Sequence, residues 1–407
     1  MTCILSPFRV IAAILSLSVL AACSLVGAPW NSHNKPPPAP VAVAPPSPPA
    51  LPAPQETSRF ELADAQQNVI GDLQQTTVGK DDTLTDIARR FNLGYEELLR
   101  ANPGVDPWLP GVGRTIVLPT RFVLPDAPHD GVVINIAAMR LFYFPPHKAG
   151  EPQVVFTHPI GIGKVGWATP EGTTRIVRRQ KDPTWHPPIS VIKEHKENGD
   201  VLPAVVGPGP DNPLGNRAFY LTWPGYLIHG TNKPAGVGLR SSHGCIRLFP
   251  EDIDELFDKV PIGTEVHVVN QPYVFGRDNG QLVMQSFGSL EDDRRDWKKA
   301  QAALLSRSLS KSVQKELKSR GQTVDWDLVM QLAHAPRGLI VPVTVNDASI
   351  DKVLAGATLV ENQLPAGASW DGKSDLPMDE KTFNQIMGDS DPQEHMVPAP
   401  GAHKSGG

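Results

Sequence analysis

His229-Gly230-Thr231-Asn232 and, after eight intervening residues, Ser241-Ser242-His243-Gly244-Cys245-Ile246-Arg247-Leu248 form the stretch from which the rest of the chain is read. Two histidines, a cysteine and an arginine fall within twenty residues, among glycines. A free thiol with a pKa of about 8.5 is only slightly ionised at neutral pH, so a cysteine nucleophile needs a base for its proton and cationic surroundings. It also needs backbone N–H groups facing the oxyanion that develops on the attacked carbonyl. His229 ends the apolar run Tyr226-Leu227-Ile228 and so projects from a strand edge toward Cys245. Gly244, having no side chain, leaves room for a carbonyl to approach the N–H groups beside the sulfur.

Two other readings compete. Zinc takes His and Cys ligands, and His229, His243 and Cys245 are the right types, with His186 or His195 needed to complete a set of four. A buried cysteine packing as a small hydrophobe is the plainer alternative, but it leaves the adjoining histidines, glycines and arginine unexplained. Around the stretch, residues 127–273 are rich in strand signals. Val132-Val133-Ile134-Asn135-Ile136 and Arg140-Leu141-Phe142-Tyr143-Phe144 flank a turn, Phe219-Tyr220-Leu221 and Tyr226-Leu227-Ile228 flank Pro224-Gly225, and Val266-His267-Val268-Val269 is a late strand. Many short strands with Gly and Pro turns predict a sandwich or barrel, with one short helix over about Asp252 to Lys259.

On these residues the segment resembles the signature of the L,D-transpeptidase catalytic-domain family: His-Gly, a variable stretch, then Ser-His-Gly-Cys, an apolar residue and Arg. His229 and Cys245 stand sixteen positions apart, as in that family. Gly161-Ile162-Gly163, Gly166-Trp167-Ala168-Thr169-Pro170-Glu171-Gly172, Pro183-Thr184-Trp185 and Asn212-Pro213-Leu214-Gly215 add to the match. The resemblance covers 127–273 and implies a β-sandwich-like catalytic fold. It implies Cys245 as nucleophile, His229 as base, His243 as a group that polarises or positions thiol and substrate, and Gly244 and Cys245 as N–H donors to the oxyanion. Gly230, Ser242 and Arg247 fall on the substrate side, the Gly230 carbonyl orienting the His229 ring. For Arg247, a contact to a substrate carboxylate and a purely structural role stand equal. The resemblance implies no metal and no cofactor.

Ahead of this domain, residues 75–120 read as a small βααβ unit. Thr76-Thr77-Val78 is a strand, Asp81-Asp82-Thr83 offers a helix cap, and Leu84, Ile87, Ala88 and Phe91 recur at helical spacing. A second helix through Tyr95, Leu98 and Leu99 is broken by Asn102-Pro103-Gly104, and Thr115 to Pro119 closes the unit. The pattern resembles the LysM module, which implies binding to glycan strands of peptidoglycan. The expected fold is therefore mainly β: a β-sandwich catalytic domain, a LysM-like module before it and a partly helical extension after it.

The chain ends carry other signals. Val10 to Ala22 is an uncharged apolar run, so residues 1–22 read as a signal peptide. Leu20-Ala21-Ala22-Cys23 resembles the bacterial lipobox, which implies lipidation of Cys23, and Ser24 points to the outer membrane. Residues 23–60 then form a linker. Ten prolines fall in positions 36–54, and such a segment extends as polyproline II to roughly 60 Å. Beyond the catalytic domain, Leu290, Trp297, Leu304, Leu305, Val313, Leu317, Leu328 and Leu332 recur at helical spacing, so 281–365 reads as a helical extension whose apolar faces need a partner. Residues 366–407 read as a disordered tail.

Composition narrows the function. The chain has 407 residues and a net charge of −5, without the basic stripe of a nucleic-acid binder. Its 42 prolines are about double the average usage. Three cysteines, Cys3, Cys23 and Cys245, cannot make a disulfide framework. The resemblances together imply a periplasmic transferase of peptidoglycan synthesis and cell-wall biogenesis, anchored by lipid to the outer membrane. It would cut the L,D bond of tetrapeptide stems through a thioester, release D-alanine and pass the acyl group to an amine. That amine belongs to a diaminopimelate or to a lysine of a small outer-membrane lipoprotein. A carboxypeptidase or amidase of the same fold, a non-catalytic wall-binding lipoprotein and a Cys-His endopeptidase are the alternatives. In the endopeptidase the cysteine typically precedes its histidine, the reverse of the order here.

Overall fold

Gly131–Asn135 and Arg140–Phe144 are antiparallel neighbours buried along their whole length. Side chains alternate faces along a strand, so this pair serves two cores at once. Val132, Ile134, Leu141 and Tyr143 enter one apolar cluster, and Val133, Phe142 and Phe144 enter another. The computed structural model describes residues 50–64, 67–148, 150–197, 199, 201–295, 309, 311–344 and 347–373. The signal sequence, Cys23, most of the proline linker, Trp297, Leu304, Leu305 and the end of the tail lie outside the described residues.

Hydrogen bonding joins nine strands in one sheet, in the order Arg59–Leu62, Gln153–Pro159, Arg140–Phe144, Gly131–Asn135, Glu265–Val269, Gly172–Lys181, Arg217–Leu221, Leu227–His229 and Ile246–Arg247. Two neighbouring pairs are parallel: Glu265–Val269 beside Gly131–Asn135, and Ile246–Arg247 beside Leu227–His229. Ile176, Phe219, Ile228 and Ile246 from one end of the sheet share a cluster with Val132, Ile134 and Leu141 from the other. Ile253 and Leu256 of the helix Pro250–Lys259 lie in the same cluster. The two halves of the sheet thus bury one another around that helix, the sandwich-like arrangement expected from the strand pattern.

The second cluster belongs to the βααβ unit. Gln74–Thr77 pairs antiparallel with Thr115–Leu118, and the helices Leu84–Arg90 and Tyr95–Ala101 follow the first strand. Thr83 caps the first helix and exchanges hydrogen bonds with Asp86, a capping box. Leu84, Ile87, Ala88 and Phe91 pack with Val133, Phe142 and Phe144, so the unit rests on the outer face of the catalytic sheet. Arg140 crosses between them. Its guanidinium meets Glu97 at 2.7 and 2.8 Å and stacks over Phe122 at 4.1 Å.

The segment after the catalytic domain is partly helical, as the expected fold class has it. It carries strands beside its helices: Tyr273–Asp278, Gln281–Ser286 and Ile340–Pro342 make a three-stranded sheet. The helices Lys311–Ser319 and Trp326–His334 cover that sheet, with Leu317, Val329 and Leu332 against Tyr273, Leu282, Met284 and Val341. Their apolar faces therefore find partners inside the extension itself. The chain then returns to the βααβ unit. Thr358–Leu359 adds a strand parallel to Gln74–Gln75, and Val360 is buried in its core. The first residues of the expected tail dock as well: Trp370 stacks on Arg89 at 4.2 Å, and the Gly372 carbonyl accepts from Arg90. Among the described residues no helix is long and apolar enough to cross a membrane.

Candidate active site

In the parallel pair, Ile228 lies beside Ile246 and His229 beside Arg247. Ile228 and Ile246 point into the core, so alternation puts His229 and Arg247 on the opposite face, and Cys245, one residue before the strand, continues on that face. His229 pairs with Arg247, two residues after Cys245, so His229 and Cys245 sit at the same edge of the sheet. His229 is 3% exposed. Its Nδ1 bonds the Gly230 carbonyl at 2.6 Å, which fixes the proton on Nδ1 and leaves Nε2 as the basic nitrogen. Burial, then the Arg247 charge, push its pKa down to about 3 against the pull of the Gly230 and Leu214 carbonyls, so the ring is neutral. Burial likewise pushes the Cys245 thiol up, while the Leu227 N–H and the Arg247 charge favour the thiolate. The resting pair is a neutral thiol and a neutral imidazole, and the thiol donates to the Gly225 carbonyl at 3.6 Å.

Ser242 shapes the loop. Its hydroxyl donates to the Cys245 carbonyl at 2.6 Å and accepts the Gly244 N–H at 3.1 Å. Two expectations change here. Gly244 does not offer a free N–H to an oxyanion, because Ser242 holds it. Ser242 does not face substrate, because it is 1% exposed and its hydroxyl is committed to the loop. Gly244 has φ +100°, and a Cβ there would sit 2.8 Å from Tyr226 Cε1, so only glycine fits. Its carbonyl accepts from Thr169 Oγ1, which in turn accepts the Gly163 N–H, each at 3.0 Å. The glycine-rich stretch 161–172 thereby braces the loop. Arg247 donates to the Ser241 carbonyl and hydroxyl at 3.3 Å, a bracing contact. Gly230 is buried between the His229 ring and Ile253, which a Cβ would meet at 3.0 Å, so it serves the histidine rather than the substrate.

His243 is turned toward a residue that the sequence reading did not single out. Its Nε2 bonds Glu194 Oε2 at 2.5 Å, and Glu194 Oε1 accepts from Lys164 Nζ at 2.6 Å. Glu194 lies on a helix, Ile189–Glu197, that was also missed. The signals were present: Pro187-Pro188 at a helix start, then a Lys193–Glu197 pair four residues apart. His243 has its pKa lowered by burial, with Glu194 opposing and Lys164 and Arg247 adding to the depression. The structure brings together Cys245, His229, His243, Gly244, Arg247, Ser242 and Gly230; Cys23 lies outside the described residues. Among the described residues no three His, Cys, Asp or Glu side chains converge as metal ligands.

The family description "L,D-transpeptidase catalytic domain" matches residues 129–268, and "LysM domain" matches residues 76–119. "Probable L,D-transpeptidase YcfS" of Escherichia coli is 37% identical over 305 residues, which are 74% of this chain and 92% of that protein. "Probable L,D-transpeptidase YbiS" of the same species is 44% identical over 207 residues, 50% of this chain and 66% of that protein. The NMR structure of the catalytic domain from the E. faecium L,D-transpeptidase is 25% identical and covers 36% of this chain and 100% of its own, with a TM-score of 0.26, too slight a likeness to bear on the fold. With a nucleophile-type cysteine and a buried neutral histidine on one sheet face, this chain belongs to the L,D-transpeptidase family, as a transferase with a LysM domain ahead of its catalytic domain.

Proposed function

We propose that the protein transfers peptidoglycan stem peptides through a thioester on Cys245. The Cys245 proton passes to His229 Nε2 as sulfur attacks the amide carbonyl on the C-terminal side of the L-centre in a tetrapeptide stem. The carbonyl oxygen becomes an oxyanion, held by the Cys245 N–H, the member of the expected donor pair that Ser242 does not engage. The C–N bond breaks, the proton returns from His229 to the departing nitrogen, and D-alanine leaves. An amine then attacks the thioester, gives its proton to His229, and forms the new amide as sulfur is released and reprotonated. The observation that carries this reading is the neutral His229, its Nδ1 proton locked on Gly230, on the strand paired with the one that Cys245 leads into.

The LysM domain suits this role by holding glycan strands near the catalytic site. The acceptor is a second stem's side-chain amine or a lysine of a small outer-membrane lipoprotein. The apolar run before Cys23 and the proline linker support a periplasmic location with a lipid anchor in the outer membrane. The experiment is incubation of purified protein with a tetrapeptide muropeptide and an amine acceptor, read by mass spectrometry. The expected product is the stem joined to the amine, with D-alanine released and an acyl adduct on Cys245. Hydrolysed stem alone would convert the reading to a carboxypeptidase. Cys245→Ala is expected to fold normally and to abolish turnover; activity persisting in it would remove the thioester.

A further inference from the structure

Lys164, Glu194 and His243 come from three separate segments and meet beside the nucleophile. Glu194 spans the other two, at 2.6 Å from Lys164 Nζ and 2.5 Å from His243 Nε2. Lys164 is fixed to the catalytic loop by its backbone, whose N–H donates to the Ser242 carbonyl at 2.9 Å. His243 precedes Cys245 by two residues. Trp167 meets the His243 ring edge-on at 4.8 Å, and the His195 ring lies 6.3 Å away. The charged groups acting on His243 are Lys164, Glu194 and Arg247, two cations and one carboxylate. Despite burial that would raise it, hydrogen bonds from Lys164 and His243 hold the Glu194 carboxyl below its ordinary range, so it is an anion.

That anion arrives on a lightly anchored element. Of the helix Ile189–Glu197 only Val191 is buried, and Ile189 is 85% exposed. Elements with so little buried apolar surface open at low free-energy cost. When Glu194 withdraws, Lys164 and His243 remain as two donors aimed at one point, an arrangement that takes a carboxylate. We propose that Lys164 and His243 form the subsite for the C-terminal carboxylate of the acyl donor, and that Glu194 fills this subsite in the substrate-free enzyme. This rests on the proposed thioester transfer, in which one amino acid leaves from the C-terminal side of the attacked bond. Its carboxylate lies within one residue of that bond, at most about 3.6 Å of chain, so its anchor has to border Cys245, as His243 does. Exchange of one carboxylate for another gives Lys164 an anionic partner both before and after the donor binds. A donor with a neutral terminus gains nothing by displacing Glu194, so the device selects for a free terminal carboxylate.

The test compares two donors with the purified full chain: a tetrapeptide stem with a free C-terminal carboxylate, and the same stem as its C-terminal carboxamide. Wild type is expected to prefer the carboxylate. Lys164→Gln is expected to lower kcat/KM on the carboxylate donor by about ten- to hundredfold, the range for a lost hydrogen bond to a charged group, with a much smaller loss on the carboxamide. Lys164→Arg restores most of the preference. Glu194→Gln moves the opposite way and lowers KM for the carboxylate donor, because a competitor for the subsite has been neutralised. Equal losses on both donors in Lys164→Gln, or a raised KM in Glu194→Gln, would overturn the subsite. Failure of wild type to release the terminal residue from either donor would instead sink the thioester reading and the subsite with it.

Discussion

At Cys245 burial and charge oppose one another. Burial favours the neutral thiol, and Arg247 favours the thiolate while holding His229 neutral. The resting Cys245 therefore keeps its proton on sulfur, and in the proposed transfer it ionises as substrate is attacked. Two consequences can be measured. In the proposed transfer His229 acts in its neutral form, present above its pKa of about 3, so kcat/KM for acylation is expected to stay nearly level from pH 7 down to about pH 5. A fall centred near pH 6.5, the ordinary imidazole value, would contradict the buried neutral ring. Alkylation of Cys245 by iodoacetamide is expected to climb at a pH above that of an ordinary thiol, since the raised pKa postpones ionisation; a rate already maximal at pH 7 would show a resting thiolate. Gly244 is a second sensitive residue. Its φ of +100° and the 2.8 Å approach to Tyr226 predict that Gly244→Ala costs about 1–3 kcal/mol of strain. Activity should fall more than the unfolding midpoint, because the strain falls on the loop that carries the proposed nucleophile. Equal activity at equal stability would show that the loop tolerates a side chain.

At the scale of elements, the helix Tyr95–Ala101 of the LysM domain joins the two parts. Its first N–H groups reach the carbonyls of Val237 and Gly238 in the segment leading to the catalytic loop. On the same helix, Glu97 holds Arg140 of the central sheet and accepts the Gly94 N–H at 2.7 Å. The Arg140 and Glu97 side chains are 1% and 6% exposed, and removing one partner of a buried ion pair strands the other charge, at a cost of about 3–5 kcal/mol. Glu97→Ala is expected to lower the urea unfolding free energy by that amount. A change below about 1 kcal/mol, the usual worth of a surface pair, would show that water reaches Arg140. The helix Ile189–Glu197 is the opposite case, short of apolar contacts and tied to the body through Glu194.

Across the whole molecule, the C-terminal extension closes back on the LysM domain. Val360 is buried in its core, its carbonyl accepts from Thr76 Oγ1 at 3.1 Å, and Asn362 donates to the Thr77 carbonyl at 2.8 Å. A chain ending before Asp347 is expected to lose protection against hydrogen exchange at Gln74–Thr77, with an earlier thermal transition. Unchanged protection there would show that the domain holds its strand without the returning segment. The sequence by itself determined the strand-rich catalytic domain and both LysM helices with their Thr83 cap. Those features rest on local periodicity and capping chemistry, which are written within short windows. Tertiary structure alone decided what depends on distant segments meeting. It set Glu194 between Lys164 and His243, and committed the Gly244 N–H to Ser242. It also gave both faces of Gly131–Asn135 and Arg140–Phe144 a core, and returned Thr358–Leu359 to a strand about 280 residues earlier in the chain. Such contacts arise from burial and hydrogen-bond satisfaction across the fold, and no single window of sequence carries both partners.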